Sequence, residues 1–489
     1  MQKKIRGGVV GLLLLGSATL TQAQRLEATD VGQILENQGA SQFIVDAGNA
    51  IRATCLELGA AGPQTAERQD LFNRCREMSG TVLGLTGTTP PNGYGYSSPD
   101  DVFDAIRQFS GEEVSSQTRL ATESTNRQFT NLGVRMDAIR RGARSTLSPV
   151  AFNFNGMDLA EGLAANAGAP AGGTGASADR DADTGWAWFG NAAIGWGDRD
   201  QTSNESGYDF DSYGLTLGAD YAFDNGLALG LALGYASYDV DLDRDPAGAL
   251  VSSSAGGKIE SDGYSLSGFF VYGLEDYYLN GILSYGRNDF DLVRLTSIAA
   301  APEATGTGAG LTLDRRFDGS TDSSQLGGQL TGGRIFGSGA TTLDLYAGMD
   351  YLDIDIDGFE EREANASGGL ALRYSDQDTQ SVQSIVGVML RHATSTGFGV
   401  LQPYAGVEWR HEFDNESQAL EYSYAFAQPG STISFRTPTD DPDENFFELT
   451  LGLSAQFANG LFGFVQYNST VGLSDTSANV VTLGLRGVF

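Results

Sequence analysis

Long apolar runs are missing from this chain. Beyond its N-terminal segment, no stretch approaches the ~18 apolar residues that a membrane-spanning helix needs. Positive charge is scarce as well. The 489 residues carry 30 Lys and Arg against 62 Asp and Glu, a formal net charge of −32. Phosphate contacts require a basic face, so nucleic acid is excluded as a partner. Histidine and cysteine occur twice each, as His392, His411, Cys55 and Cys75. The missing apolar helices do not exclude a membrane, because a strand that crosses one needs only every second residue to be apolar.

What is abundant points that way. The chain has 66 Gly, 19 Tyr and 26 Phe, and its glycine share is about twice the average. Glycine and aromatics in alternating strands suit a barrel with aromatic girdles; a soluble sandwich or solenoid is the lesser alternative. Residues 1–23 read as an export signal: Lys3, Lys4 and Arg6, then the apolar Val9 to Leu15, then Thr21-Gln22-Ala23 as a cleavage site. Both cysteines lie in the exported part. An oxidising compartment favours a disulfide between them, with two buried thiols as the alternative.

Residues 24–97 read as a small helical domain. Ile34, Leu35, Phe43, Ile44, Ala47 and Ile51 recur at helical spacing, and the pattern breaks at Gly59-Ala60-Ala61-Gly62-Pro63. Leu71, Phe72, Cys75 and Met78 mark a second helix, and a disulfide would staple so small a core. Residues 98–144 read as linker helices. Ser98 is a candidate cap, Pro99 suits the first turn, and Asp100 and Asp101 suit the positive helix end. The following helix carries Arg119, Arg127, Arg135, Arg140, Arg141 and Arg144 but few acids. Such a helix fits an acidic, water-lined channel, or is an ordinary solvated helix. Residues 145–184, rich in Gly, Ala and Asp, read as a linker.

From 185 to 489 the alternation is that of strands. Tyr213, Leu215, Leu217, Ala219 and Tyr221 alternate with small or polar residues, as do Leu227, Leu229, Leu231, Leu233 and Tyr235. Between these runs Asp224-Asn225-Gly226 is a tight hairpin signal. Further strands are expected at 260–272, 276–288, 323–336, 341–353, 380–392, 400–413, 446–457, 461–470 and 479–489. With 186–197 that gives about twelve, and a mainly β fold: a twelve-stranded antiparallel transmembrane barrel behind a small α-helical region. Connections alternate long (198–211, 240–259, 289–322, 354–379, 414–445) and short (224–226, 273–275, 337–340, 393–399, 458–460), with 471–478 intermediate, the pattern of outer-membrane barrels. Leu370–Tyr374 is assigned to a long connection. Asp353-Ile354-Asp355-Ile356-Asp357 and Asp440-Asp441-Pro442-Asp443-Glu444 read as solvated acidic loops, with calcium binding the lesser reading. Asp220, Asp344, Asp350, Glu408 and Glu448 fall on the small, polar face and so are candidate lumen carboxylates for Arg119, Arg127, Arg135 and Arg140.

From about residue 105 onward the chain resembles the monomeric autotransporters of type V secretion. Ala105-Ile106-Arg107-Gln108-Phe109-Ser110-Gly111-Glu112 is similar to the family's segment ahead of the barrel. Leu217-Gly218-Ala219-Asp220-Tyr221, Ser284-Tyr285-Gly286-Arg287-Asn288, and Tyr346-Ala347-Gly348-Met349 with Asp357-Gly358-Phe359 are similar to its strands. The resemblance implies a barrel in outer-membrane lipid whose pore holds one helix, with the upstream passenger at the cell surface. It also implies periplasmic chaperones and an insertion machinery that reads Phe489, with Leu485, Leu483 and Val481 on the same strand face. The chain departs from the family in its 145–184 insertion, so the pore helix is either 115–144 or a shorter one near Gly156–Ala165. It also lacks the paired Asn of self-cleaving members: Asn126 and Asn131 are isolated, and the passenger is expected to stay attached.

No enzyme chemistry emerges. The chain has no Gly-x-Ser-x-Gly elbow and no Gly-Asp-Ser near its mature start. The strand directions put His392 and His411 on opposite sides of the membrane. No metal or cofactor is expected, and the ligand of the passenger is not legible. A barrel channel with a periplasmic helical domain is the alternative function, and an outer-membrane hydrolase is the least favoured.

Overall fold

The computed structural model describes residues 30–140, 185–202, 204–243, 256–337, 339–364, 368–414, 419–457 and 462–486. The export signal, the 145–184 linker, Arg141, Arg144 and Phe489 lie outside the described residues. Five helices come first: α1 (Val31–Asn37), α2 (Gln42–Ala61), α3 (Ala66–Gly84), α4 (Pro99–Phe109) and α5 (Ser116–Arg140). Ser41 and Thr65 accept from the backbone amides of Ile44 and Arg68 and so cap α2 and α3. Gly62 ends α2 at φ +73°. Pro99, Asp100 and Asp101 open α4, but the Ser98 hydroxyl makes no capping bond. Cys55 and Cys75 are bridged, tying α2 to α3.

Twelve antiparallel strands follow: β1 (Gly185–Arg199), β2 (Tyr208–Ala222), β3 (Leu227–Leu242), β4 (Gly257–Leu274), β5 (Tyr277–Ala299), β6 (Thr312–Phe336), β7 (Thr341–Ile356), β8 (Gln377–His392), β9 (Gly399–Glu412), β10 (Asn445–Phe457), β11 (Phe462–Val471) and β12 (Thr476–Arg486). Each pairs with the next, and β12 pairs with β1 through registers such as Leu483 opposite Ala192. The sheet is closed, so no backbone edge faces lipid. Leu483 and Leu485 lie exposed on its outer face, while Thr482 points inward and is buried.

Several strands run further than their sequence suggests. β5 and β6 cover most of the expected loop 289–322, leaving 300–311 as the connection. The Asp353–Asp357 stretch is not a loop down to Ile356 but the end of β7. The reason is a reversal of chemistry along the strand. On β3, Leu229, Leu231, Leu233 and Tyr235 are exposed on the outer face, but Asp239 and Asp241 continue that face. The inner face changes in the opposite sense, from Ala228 and Ala232 to Tyr238, Val240 and Leu242, all buried. β7 repeats this: Leu345, Met349 and Tyr351 give way to Asp353 and Asp355 outside, while Asp344 and Asp350 give way to Leu352, Ile354 and Ile356 inside. Leu227 to Tyr235 at about 3.3 Å per residue, tilted, covers roughly 20 Å, close to the outward apolar band of such barrels. The tyrosines Tyr213, Tyr235, Tyr264, Tyr285 and Tyr351 mark its upper limit.

Above that limit the outer face is acidic. Asp209 faces Asp241 across β2 and β3, Asp289 faces Asp322 across β5 and β6, and Asp355 faces Asp378 across β7 and β8. Direct like-charge pairs cost stability. Hydrogen bonding to its partner raises the carboxyl of Asp289, and likewise that of Asp355, above the usual carboxylate range.

The inner face above the girdle is apolar because helices fill it. Leu35, Ile51, Leu58, Leu71, Ile106 and Phe109 share one core with Val240, Ile259, Phe290, Phe317, Ile354 and Ile356. Leu372–Tyr374, in the connection to which the sequence assigns it, forms a separate small sheet with Ala419–Tyr424 and Phe435–Pro438, and Tyr374, Tyr422 and Phe435 join the same core. Gly111, just after α4, lies so close to Tyr374 that a β-carbon there would collide with its ring. The lower lumen is not uniformly wet either: Phe129, Leu132, Met136 and Ile139 of α5 pack on Phe189, Phe269, Val271 and Ile282.

The reversal predicts a position-dependent charge tolerance along β3. Leu231→Arg, within the apolar band, should cost about 2–4 kcal/mol if it lies near the bilayer midplane. Asp241→Arg, above the girdle, should not destabilise the barrel. Denaturant unfolding and refolding in lipid vesicles measures both.

Candidate functional site: the occupied lumen

The lumen is occupied by α5, residues 116–140; the alternative pore helix near Gly156–Ala165 lies outside the described residues. Its start lies at the long-connection mouth, where Arg119 pairs with Glu205 at 3.6 Å. Its end lies at the tight-turn mouth, where the Arg140 guanidinium sits 3.7 Å from the centre of the Tyr278 ring. Val114, Leu120 and Ala121 belong to the upper apolar core, so the helix enters the pore already anchored.

One side of α5 is fixed to the β1–β6 wall. Thr125 donates to Gln325 at 2.7 Å. Gln128 donates to Ser267 at 3.2 Å and accepts from Thr216 at 2.9 Å. Asn131 donates to Thr216 at 3.0 Å, and its backbone carbonyl accepts from Asn191 at 3.1 Å. Arg135 donates twice to Asp220, at 2.7 and 2.8 Å, with both side chains almost fully buried. Arg127 donates to Ser212 and to Glu123 on its own helix, and lies over the Tyr238 ring. The glycines of this wall permit the approach. A β-carbon at Gly195 would strike the Arg127 guanidinium, and one at Gly234 would strike the Gln128 amide.

The opposite side of α5 is loosely occupied. A polar cavity of about 130 Å³ runs between it and the wall from β5 to β11, lined by residues that include Gly133, Asp137, Tyr346, Glu408, Arg410 and Glu448. Here the geometry departs from the expected pairing of helix arginines with wall carboxylates. Asp350, Glu408 and Glu448 are engaged by Arg410 of β9, at 2.8, 3.1 and 3.3 Å, not by the helix. Asp344 meets Arg140 at 3.8 Å, but also Arg391 of β8 at 3.7 Å; Arg391 reaches Asp137 of the helix at 2.8 Å. Of the four helix arginines, Arg135 with Asp220 and Arg140 with Asp344 meet the carboxylates named from sequence, whereas Arg127 and Arg119 take Glu123 and Glu205. Arg391 and Arg410 went unnoticed in the sequence. Their inward parity on β8 and β9, shared with Glu408, is the signal that identifies them.

Outside the membrane, α3 meets the β5–β6 connection through a buried polar cluster. Arg74 and Tyr94 both donate to Glu77, and Asn92 accepts from Thr307. Burial lifts the Glu77 carboxyl above its usual range, against the pull of Arg74. Among the described residues, no group of three His, Cys, Asp or Glu is arranged to hold a metal ion. His392 bonds Thr341 at the tight-turn end, and His411 bonds Asn445 at the other.

The lumen geometry makes a directional prediction. Arg135→Ala removes the guanidinium that is paired with the buried Asp220 carboxylate and should cost about 3–5 kcal/mol. Adding Asp220→Asn should recover most of that loss. Denaturant unfolding of the detergent-folded protein measures both, and ion leakage in planar bilayers should rise and fall with them.

The Autotransporter beta-domain family model matches residues 188–468. "Esterase EstA" of Pseudomonas aeruginosa is 25% identical over 283 residues, which are 58% of this chain and 40% of that protein. "Outer membrane protein A" of Rickettsia conorii is 24% identical over 299 residues, 60% of this chain and 14% of that protein. The chain thus spans less than half the length of these relatives. Among solved structures, the translocator domain of autotransporter NalP from Neisseria meningitidis superposes with a TM-score of 0.46 at 16% identity, covering 63% of this chain and 90% of that one. The chain belongs to the autotransporter beta-domain family, and its closed barrel is an outer-membrane translocator, a part that is not itself catalytic.

Proposed function

We propose that this translocator carries its own N-terminal helices to the cell surface and keeps them there, attached through α5. The observation that carries this reading is the course of α5. It passes along the lumen from the tight-turn mouth, at Arg140, to the long-connection mouth, at Arg119, with α1–α4 beyond. Long connections face outward in outer-membrane barrels, so the helices stand on the outer side. A periplasmic helical domain would need the opposite course.

Two features favour retention over release. Asn131 is bonded to β1 and β2, whereas Asp350, Glu408 and Glu448 stand on β7, β9 and β10 and are held by Arg410. The helix lacks the paired Asn of self-cleaving family members, and its Asn131 is taken up in contacts with the wall. The helices are also fixed to the barrel by their own core. This reading assigns no hydrolase activity to residues 30–115. The names of some relatives raise that activity, but the chain has no Gly-x-Ser-x-Gly sequence to support it.

Protease treatment of intact cells followed by mass spectrometry tests the reading. Cuts are expected in 413–444 and in the N-terminal helices once these are loosened, with the untreated protein running as one chain. Cuts confined to 393–398 and other tight turns, or a free fragment of about residues 24–110 in untreated cells, would contradict it.

A further inference from the structure

We propose that the upper inner wall of the barrel is the folding template of the N-terminal helices, which take up their structure on that wall rather than as an independent passenger domain. The proposal rests on the surface reading above and deepens it. Three independent observations carry it.

The first is the chemistry of the wall. Val240, Ile259, Phe290, Phe317, Ile354 and Ile356 point into the mouth of a barrel whose outer face at the same height is Asp-rich, and each is at most 2% exposed. Without the helices, these side chains would line an aqueous vestibule. No such wall is needed by a barrel that merely conducts a chain outward. The second is the helical side. Leu35, Ile51, Leu58, Leu71, Ile106 and Phe109 belong to that same core rather than to a separate one. Among the described residues, none of residues 30–115 is an exposed large apolar side chain. Residues 30–115 carry a single disulfide, and a unit of this size buries a smaller share of its surface than a large domain, so the contact with the wall adds substantially to its core.

The third is the polar seam. At the end of α4 the Gln108 backbone carbonyl accepts from the Thr296 hydroxyl at 2.9 Å, and its side-chain carbonyl accepts from the Ser297 amide at 2.8 Å. Arg294 of β5 pairs with Glu361 at 2.6 Å and lies over the Phe317 ring, while also donating to the Gln108 carbonyl. Tyr96 donates to the Ala299 carbonyl at 2.9 Å, and the Tyr94 carbonyl accepts from the Ala301 amide at 2.7 Å. Backbone groups of β5 and of the chain beyond it are therefore satisfied by residues that reach them only after leaving the pore. Capture on this wall would make passage of the helices effectively one-way.

The test uses the full chain, folded and purified in detergent, so that it does not depend on which side of the membrane the helices occupy. Ile259→Asn with Ile354→Asn alters the wall on β4 and β7 and no helix residue; Asp241→Asn with Asp355→Asn alters the outer face at the same height, on the neighbouring β3 and on β7. Heat-modifiable migration reports that the barrel is intact. Limited proteolysis of residues 30–115 should accelerate by at least about tenfold in the wall variant, because cleavage follows the population of the open form, and should not change in the outer-face variant. If the Asn pair prevents barrel assembly, Ile354→Ala is the milder wall variant and should still accelerate cleavage. Residues 30–115 as protease-resistant as in the parent, on an intact barrel with an altered wall, would overturn the proposal and leave an independent domain. Failure of an antibody epitope within 425–434 to label intact cells would overturn the surface reading alone.

Discussion

Hydrocarbon offers a peptide group no water to bond, and that constraint shapes everything after residue 184. A sheet with a free edge would leave N–H and C=O groups unpaired in lipid, at several kcal/mol each. The chain meets the constraint by pairing β12 with β1 over ten residue pairs, Gly190–Arg199 with Thr476–Leu485. Closure in turn creates a lumen, and the lumen has to be filled or left open. Here α5 fills one side with hydrogen bonds and apolar contacts and leaves a narrow polar cavity along the other.

The same strands serve two solvents. Up to the tyrosine girdle they are apolar outside, because lipid surrounds them. Beyond it they are acidic outside and apolar inside, because water now surrounds them and helices fill them. Fully burying a side chain such as Ile354 or Phe317 contributes about 1.5–3 kcal/mol, so the wall and the helices hold each other in place. The acidic outer face carries a cost in repulsion between facing pairs such as Asp289 and Asp322. In return it prevents the extended strands from sinking into the bilayer, since charge at depth is far costlier than charge in water.

The sequence displayed the membrane part of this plan clearly. Asp224-Asn225-Gly226 does form a hairpin turn, with Gly226 at φ +83°. The Leu and Tyr alternation marks the staves, and the arginines mark the pore helix. Strand ends were less legible, because Asp at every second position looks like a solvated loop when the apolar partner face is not yet known to be covered. The alternation was present in Asp353-Ile354-Asp355-Ile356, but only the helices explain why its isoleucines point inward. Arg410 and Arg391 were hidden for a related reason. Wall carboxylates do not all await the helix, because a closed wall also pairs its own residues across neighbouring strands.

Spin-label accessibility along the outer face of β3 tests the two-solvent strand most directly. The two cysteines are bonded to each other, so single cysteines can be placed at alternate positions from Leu227 to Asp241 in protein reconstituted into bilayers. The account predicts high oxygen and low aqueous nickel-chelate access up to Tyr235, and the reverse at Asp239 and Asp241. Oxygen access that stays high through Asp241, or nickel access already dominant at Leu231, would contradict it.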